Sequence, residues 1–111
     1  MYEYKAKLNR VVDGDTVYLN VSLGFFVNMI LDFRLIGINT PEVVGPTKAE
    51  GLAAKAELER LLALGPITIQ TAKADKYGRW LARIFVQPAK GPFIDVNDAL
   101  LKGGFAVVYN P

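Results

Sequence analysis

The chain has no histidine and no cysteine among its 111 residues. The first absence removes imidazole general bases, the Ser-His-Asp triad and His-ligated zinc. The second removes disulfides and thiolate metal sites. Acid–base chemistry is left to Asp, Glu, Lys, Tyr or Arg. Any metal must be held by oxygen, which favours hard cations such as calcium, magnesium or manganese. No apolar run approaches the roughly 20 residues of a membrane span. The strand pattern begins at Tyr2, and no signal peptide is visible in the sequence. The expectation is a cytoplasmic rather than secreted protein with no membrane partner. Charge of one sign is also scarce: 13 basic against 11 acidic residues leave +2. That balance announces no polyanion partner unless the basic residues cluster on one face. There is no repeat, linker or low-complexity segment. With 51% hydrophobic residues, positions 1–111 are expected to form one domain around a real core.

What is present is first a run of alternating strands. Tyr2, Tyr4, Ala6 and Leu8 alternate with Glu3, Lys5, Lys7 and Asn9, the pattern of a half-buried strand. Asp13-Gly14-Asp15 is a turn signal. Val17, Leu19 and Val21 then share one face, and Asp15 shares their parity. A second hairpin turns around Gly24, with Phe25 and Phe26 at its tip. These two phenylalanines are expected to cover a barrel end, and base stacking is the alternative. A third strand runs from Asn28 to Ile38. Thr47 and Glu50 read as a capping box, opening a helix whose stripe is Ala54, Leu58, Leu61 and Leu62 and which Gly65-Pro66 stop. Strands over Ile67 to Thr71 and Arg79 to Val86 follow. A short helix starts with Asp95 as N-cap and closes at Gly103-Gly104, and Phe105 to Tyr109 are extended. Three hairpin-linked strands, a helix and two strands fit the partly open five-stranded OB-fold barrel, a β-barrel with helices. A ferredoxin-like sheet would need a helix between the first two strands.

Polar groups gather at three turns: Asp13 and Asp15; Arg34 with Asn39, Thr40 and Glu42; and Asp75 to Arg79. Strand mouths at one end of a small barrel lie close together. Carboxylates gathered there repel unless a cation sits between them. Arginines beside it supply planar donors for phosphate. Cation, carboxylate base and two arginines suit displacement at phosphorus. Each residue also has an ordinary reading. Arg34 could pair with Asp32 on the same strand face, and Asn39 to Glu42 could be a plain turn. Lys5, Lys7, Lys73 and Lys76 read as solvated positions in preference to a substrate track.

These segments resemble the staphylococcal nuclease (thermonuclease) family. The matching stretches are Val12-Asp13-Gly14-Asp15-Thr16-Val17, Phe33-Arg34-Leu35 with Thr40-Pro41-Glu42, Asp75-Lys76-Tyr77-Gly78-Arg79, and Val96-Asn97-Asp98-Ala99-Leu100. The resemblance implies a calcium-dependent endonuclease on single-stranded DNA or RNA that leaves 3′-phosphate ends, with another divalent cation as an alternative cofactor. It implies Asp15 and the Thr40 carbonyl as metal ligands, Asp13 behind them, and Glu42 as general base. Arg34 and Arg79 would hold the phosphate, while Tyr77 and Lys76 would bind substrate. Asn39 stands where the family places a second ligand aspartate. Its amide oxygen can still ligate, but with one charge fewer, so weaker metal binding is expected. The segment from Val43 to Lys48 is also shorter than the family's lysine-rich loop. A monomer is expected. The alternative is a nucleic-acid-binding or interaction module of the same fold with little or no activity; a cofactor-free structural role would explain none of the motifs.

Overall fold

A computed structural model of the chain describes residues 2–74 and 78–109. Alternating apolar and polar residues make β1 (Tyr2–Asp13) a strand long enough to serve two partners. Its first part pairs antiparallel with β5 (Ile67–Ala74), from Tyr2↔Thr71 to Ala6↔Ile67. The remainder pairs with β2 (Thr16–Gly24), from Ala6↔Val21 to Asp13↔Thr16. Register shifts after Leu8 and Val11 bend it, as bulges do where a sheet curls. Antiparallel pairing joins β2 to β3 (Val27–Leu35) and β5 to β6 (Trp80–Val86). A parallel junction, Phe33↔Trp80 through Leu35↔Ala82, joins β3 to β6 and closes a five-stranded mixed barrel of the OB type. Because β1 runs directly into β2 through a tight turn, the ferredoxin-like alternative falls.

Val17, Leu19, Val21, Phe33, Leu35, Ile69, Ala82, Ile84 and Val86 face the interior and are buried. Burying a side chain of the Val/Leu/Ile/Phe kind contributes about 1.5–3 kcal/mol. A one-residue slip would forfeit that along a whole strand, so the period-two pattern fixes register. Helix α1 (Lys48–Leu62) buries Gly51, Ala54, Leu58, Leu61 and Leu62 and packs on β1. Helix α2 (Val96–Lys102) begins where the Asp98 amide donates to Asp95 Oδ1 at 3.1 Å, and it packs on β6. Short strands β4 (Ile38–Asn39) and β8 (Val107–Val108) pair antiparallel beside the barrel, while β7 (Ile94–Asp95) extends β6. Among the described residues no helix is long and apolar enough to cross a membrane.

Three local readings need correction. The third strand does not run unbroken to Ile38: it ends at Leu35, and Gly37 turns with a φ of 77° before β4 begins. Thr47 does not cap α1 through its side chain. A 3₁₀ turn over Gly45–Thr47 leaves Thr47 at φ −99°, ψ 14°, outside the extended geometry that a capping hydroxyl needs. Phe25 and Phe26 cover no barrel end and are fully exposed. The pairing of β2 with β3 continues through Ser22↔Asn28 to Gly24↔Val27, past the last β1 partner, and carries the tip away from the core.

Candidate active site

Asp15 sits in the turn between β1 and β2, and its parity with Val17 turns it inward, where it is 7% exposed. Gly14 makes that turn fit. A Cβ there would lie 2.7 Å from Ala54 Cβ and 2.8 Å from Thr40 Cγ2, closer than real side chains approach. The glycine thus lets the turn press against both α1 and the segment after β4. Asp15 Oδ2 accepts from the Thr40 amide at 3.0 Å, and Arg34 Nη1 lies 3.1 Å from the same oxygen. Thr16 Oγ1 donates to Asp15 Oδ1 at 3.3 Å. Asp13 Oδ1 accepts the Asp15 amide at 3.1 Å, which tightens the turn.

Arg34 reaches this turn from β3. Its Nη2 donates to the Ile38 carbonyl at 3.0 Å and to Asn39 Oδ1 at 3.2 Å, and its guanidinium stands 5.2 Å from the centroid of the Tyr109 ring. Its ion-pair partner is Asp15, not Asp32, so the same-strand pair considered from sequence does not form. Three acceptors engage a group with five N–H donors. Arg79 enters from the start of β6 and donates from Nη1 to Thr16 Oγ1 at 3.2 Å. Glu42 follows β4. Its carbonyl accepts from Thr47 Oγ1 at 3.0 Å, while its exposed carboxylate has no partner among the described residues. Gly51 in α1 lies so close beneath that a Cβ on it would collide with the Glu42 carbonyl.

Asp13, Asp15, Thr16, Arg34, Asn39, Thr40, Glu42, Arg79 and Tyr109 line one open cavity of about 320 Å³. Every site residue expected from sequence is therefore in this cavity, except Lys76 and Tyr77, which lie outside the described residues. Thr16 and Tyr109 were not anticipated. Thr16 looked like an ordinary strand residue, and Tyr109 is brought in by pairing distant in sequence: Val108 opposes Ile38, and the Tyr109 amide donates to the Gly37 carbonyl at 2.9 Å. Asn97, quoted only as part of a motif, proves to be a buried brace. Its Oδ1 accepts the Ile84 amide at 3.1 Å, and its Nδ2 donates to the carbonyls of Ile36 at 2.9 Å and Ala82 at 3.1 Å.

The two aspartates titrate in opposite directions. Burial pushes the Asp13 carboxyl up, and its hydrogen bond with Asp15 and the charge there push it further, to about 6. Burial also opposes charge on Asp15. The hydrogen bonds from Asp13 and the Thr40 amide, together with the Arg34 guanidinium, nevertheless hold its carboxyl below the usual carboxylate range. Asp13, Asn39, Thr40 and Glu42 line the cavity with Asp15 and carry oxygens of the kind a hard divalent cation takes. Among the described residues, however, no three Asp, Glu, His or Cys side chains form a metal-holding group.

Comparison with known proteins agrees with this architecture. The chain is 34% identical over 129 aligned positions to an uncharacterized protein of Methanocaldococcus jannaschii, covering 96% of this chain and 59% of that protein. It is 31% identical to an uncharacterized protein of Bacillus anthracis, covering 94% of this chain and 47% of the other. It is 29% identical to the endonuclease YhcR of Bacillus subtilis, covering 96% of this chain and 9% of the enzyme. The chain thus spans about half the length of the first two relatives and a small part of the third. The model of the staphylococcal nuclease homologue family matches residues 32–111, which include Arg34, Glu42 and Arg79. With that match over most of its length, the chain belongs to the staphylococcal nuclease homologue family.

Proposed function

We propose that this chain hydrolyses phosphodiester bonds of single-stranded DNA or RNA with the help of a divalent cation. One observation carries the reading: Asp15, Arg34, Glu42 and Arg79, from four separate stretches of chain, face the same cavity. A fold kept only for its core needs none of them there. Glu42 accepts a proton from the attacking water. The water oxygen bonds to phosphorus, the bond to the 5′-oxygen breaks, and the leaving oxygen takes a proton from solvent, which leaves a 3′-phosphate. Arg34 and Arg79 donate to the non-bridging oxygens, where negative charge builds. Asp15, Asn39 Oδ1 and the Thr40 carbonyl would hold the cation, calcium first among the candidates, with Asp13 behind. The cation supplies positive charge against the developing anion. With a single directly ligating carboxylate, its binding is weak, and calcium in the millimolar range is needed.

A second reading has its own observation. Arg34 already neutralises Asp15 and holds Asn39 Oδ1. Asp15 and Asn39 therefore have a partner without a cation, as suits a module that binds nucleic acid and does not cut it. The two readings separate in one assay: single-stranded DNA incubated with millimolar calcium, with chelator, and with Glu42→Ala. Cleavage that needs calcium and falls by about 10²–10⁴-fold in the variant, the usual weight of a general base, supports the nuclease. Binding without cleavage at any calcium concentration establishes the module instead.

A further inference from the structure

The hairpin of β2 and β3 outgrows the barrel. From Ser22 to Ile30 every residue is exposed, and the apolar ones among them are Leu23, Phe25, Phe26, Val27, Met29 and Ile30. Strand β1 pairs with β2 only as far as Val21, and β6 pairs with β3 only from Phe33 onward. Among the described residues, Val27 to Asp32 therefore have a ladder partner on one side alone. A two-stranded ribbon in water is marginal by itself, and an unpaired strand edge is a template for another strand. Proteins that keep such an edge single place lysine, proline or a bulge on it. Here the sequence from Thr16 to Leu31 holds no charge and no proline. At the tip, Phe25 and Phe26 both adopt left-handed backbone, with φ of 53° and 62°. An Asn-Gly pair would take that conformation far more readily.

We infer that the free edge of β3 pairs antiparallel with the same edge of a second copy of this chain, joining two barrels about a two-fold axis near Met29 and Ile30. Three features favour a second copy over a lipid surface or an unlike protein. The unpaired N–H and C=O groups need a strand, and hydrocarbon cannot satisfy them. From Val27 to Leu31 the edge is neutral, so it meets itself without repulsion. The antiparallel register sends the two Asp32 carboxylates to opposite ends of the new ladder. Beside the edge lies an open groove of about 380 Å³, walled by Tyr2, Tyr4, Leu23, Met29 and Trp80 and lined by no charged residue. It receives apolar side chains of the partner. Two buried phenylalanines alone account for about 400 Å², a large share of the roughly 800 Å² per partner in a standard interface. The dimer departs from the monomer expected from sequence.

Sedimentation velocity over a concentration series tests the pairing. The expected result is a reversible monomer–dimer equilibrium whose dissociation constant rises on the order of 100-fold in Met29→Lys/Ile30→Lys, where four like charges meet. Both positions are exposed, so the variant keeps its fold, checked by circular dichroism. Because the chain has no cysteine, Ile30→Cys introduces a single thiol; mild oxidation should give a covalent dimer, and Lys90→Cys should not. A chain that stays monomeric into the millimolar range overturns the inference. So does a dimer indifferent to the double lysine variant. A monomer that floats with phosphatidylcholine vesicles overturns it in favour of lipid.

Discussion

Asn39 presents an amide oxygen where a carboxylate would add a full negative charge, and that oxygen already accepts from Arg34 Nη2 at 3.2 Å. Asn39→Asp therefore has two competing effects. It adds charge for a cation, and it strengthens a contact that turns the oxygen toward Arg34. The cation carries two charges against one on the guanidinium, and Arg34 is shared with Asp15 and the Ile38 carbonyl. The first effect should win. Calcium affinity is expected to rise on the order of tenfold, about 1.4 kcal/mol. Isothermal titration of the two proteins measures it, and no tightening would mean that residue 39 is not at the metal. The gathering of these residues was largely legible in the sequence, because Asp15, Arg34 and Glu42 sit next to strand ends that alternation and proline locate. What was not legible is which partners they choose. Arg34 passes over Asp32, on its own strand, for Asp15 across the hairpin, and only the register Thr16↔Arg34 brings that pair together.

Elements position the site more than they compose it. Helix α1 contributes no side chain to the cavity, but its Gly51 lets the Glu42 main chain lie against it. Helix propensity alone says that Gly51→Ala should stabilise the chain by about 1 kcal/mol. The added methyl would displace the Glu42 carbonyl, however, and with it the proposed general base. A misplacement of about 1 Å can cost on the order of 100-fold in rate. Gly51→Ala should therefore lower kcat by about 10- to 100-fold while a thermal melt moves by only a few degrees. A variant that melts normally and cleaves normally would show that Glu42 is not held from below. Periodicity revealed α1 and its apolar stripe but not this contact, since a glycine inside a helix carries no local sign of what approaches it. The same limit explains Thr47 and the hairpin tip. A Ser/Thr-x-x-Glu pattern reads as a cap whatever turn precedes it, and two phenylalanines read as core unless the length of the flanking ladder is known. Asn97 belongs here too: one buried amide ties Ile36, Ala82 and Ile84 together across the barrel closure, a role visible only once the closure exists.

At the scale of the whole molecule the weak net charge becomes informative. The balance is only +2. Lys5 and Lys7 are exposed on β1, but Asp13 lies six residues beyond Lys7, about 20 Å along the strand. They border a different groove, with Asn20, Ser22 and Asn28. Among the described residues, the cations that line the candidate site are Arg34 and Arg79. If these two make the phosphate contacts, a single-stranded oligonucleotide should release few counterions on binding. Both arginines hold one phosphate, so the logarithm of the binding constant should fall against the logarithm of salt concentration with a slope of about −0.7, the value per phosphate neutralised. Fluorescence anisotropy with the Glu42→Ala variant, at fixed calcium and rising potassium chloride, measures the slope without loss of the oligonucleotide. A slope steeper than about −3 would mean that a lysine track joins the site. In that case Lys5→Ala/Lys7→Ala should bring the slope back toward the shallow value, and failure to do so would direct attention to Lys73 and Lys76. A shallow slope instead leaves the two arginines as the whole of the electrostatic contact, so that bound cation and base contacts must supply the remaining affinity.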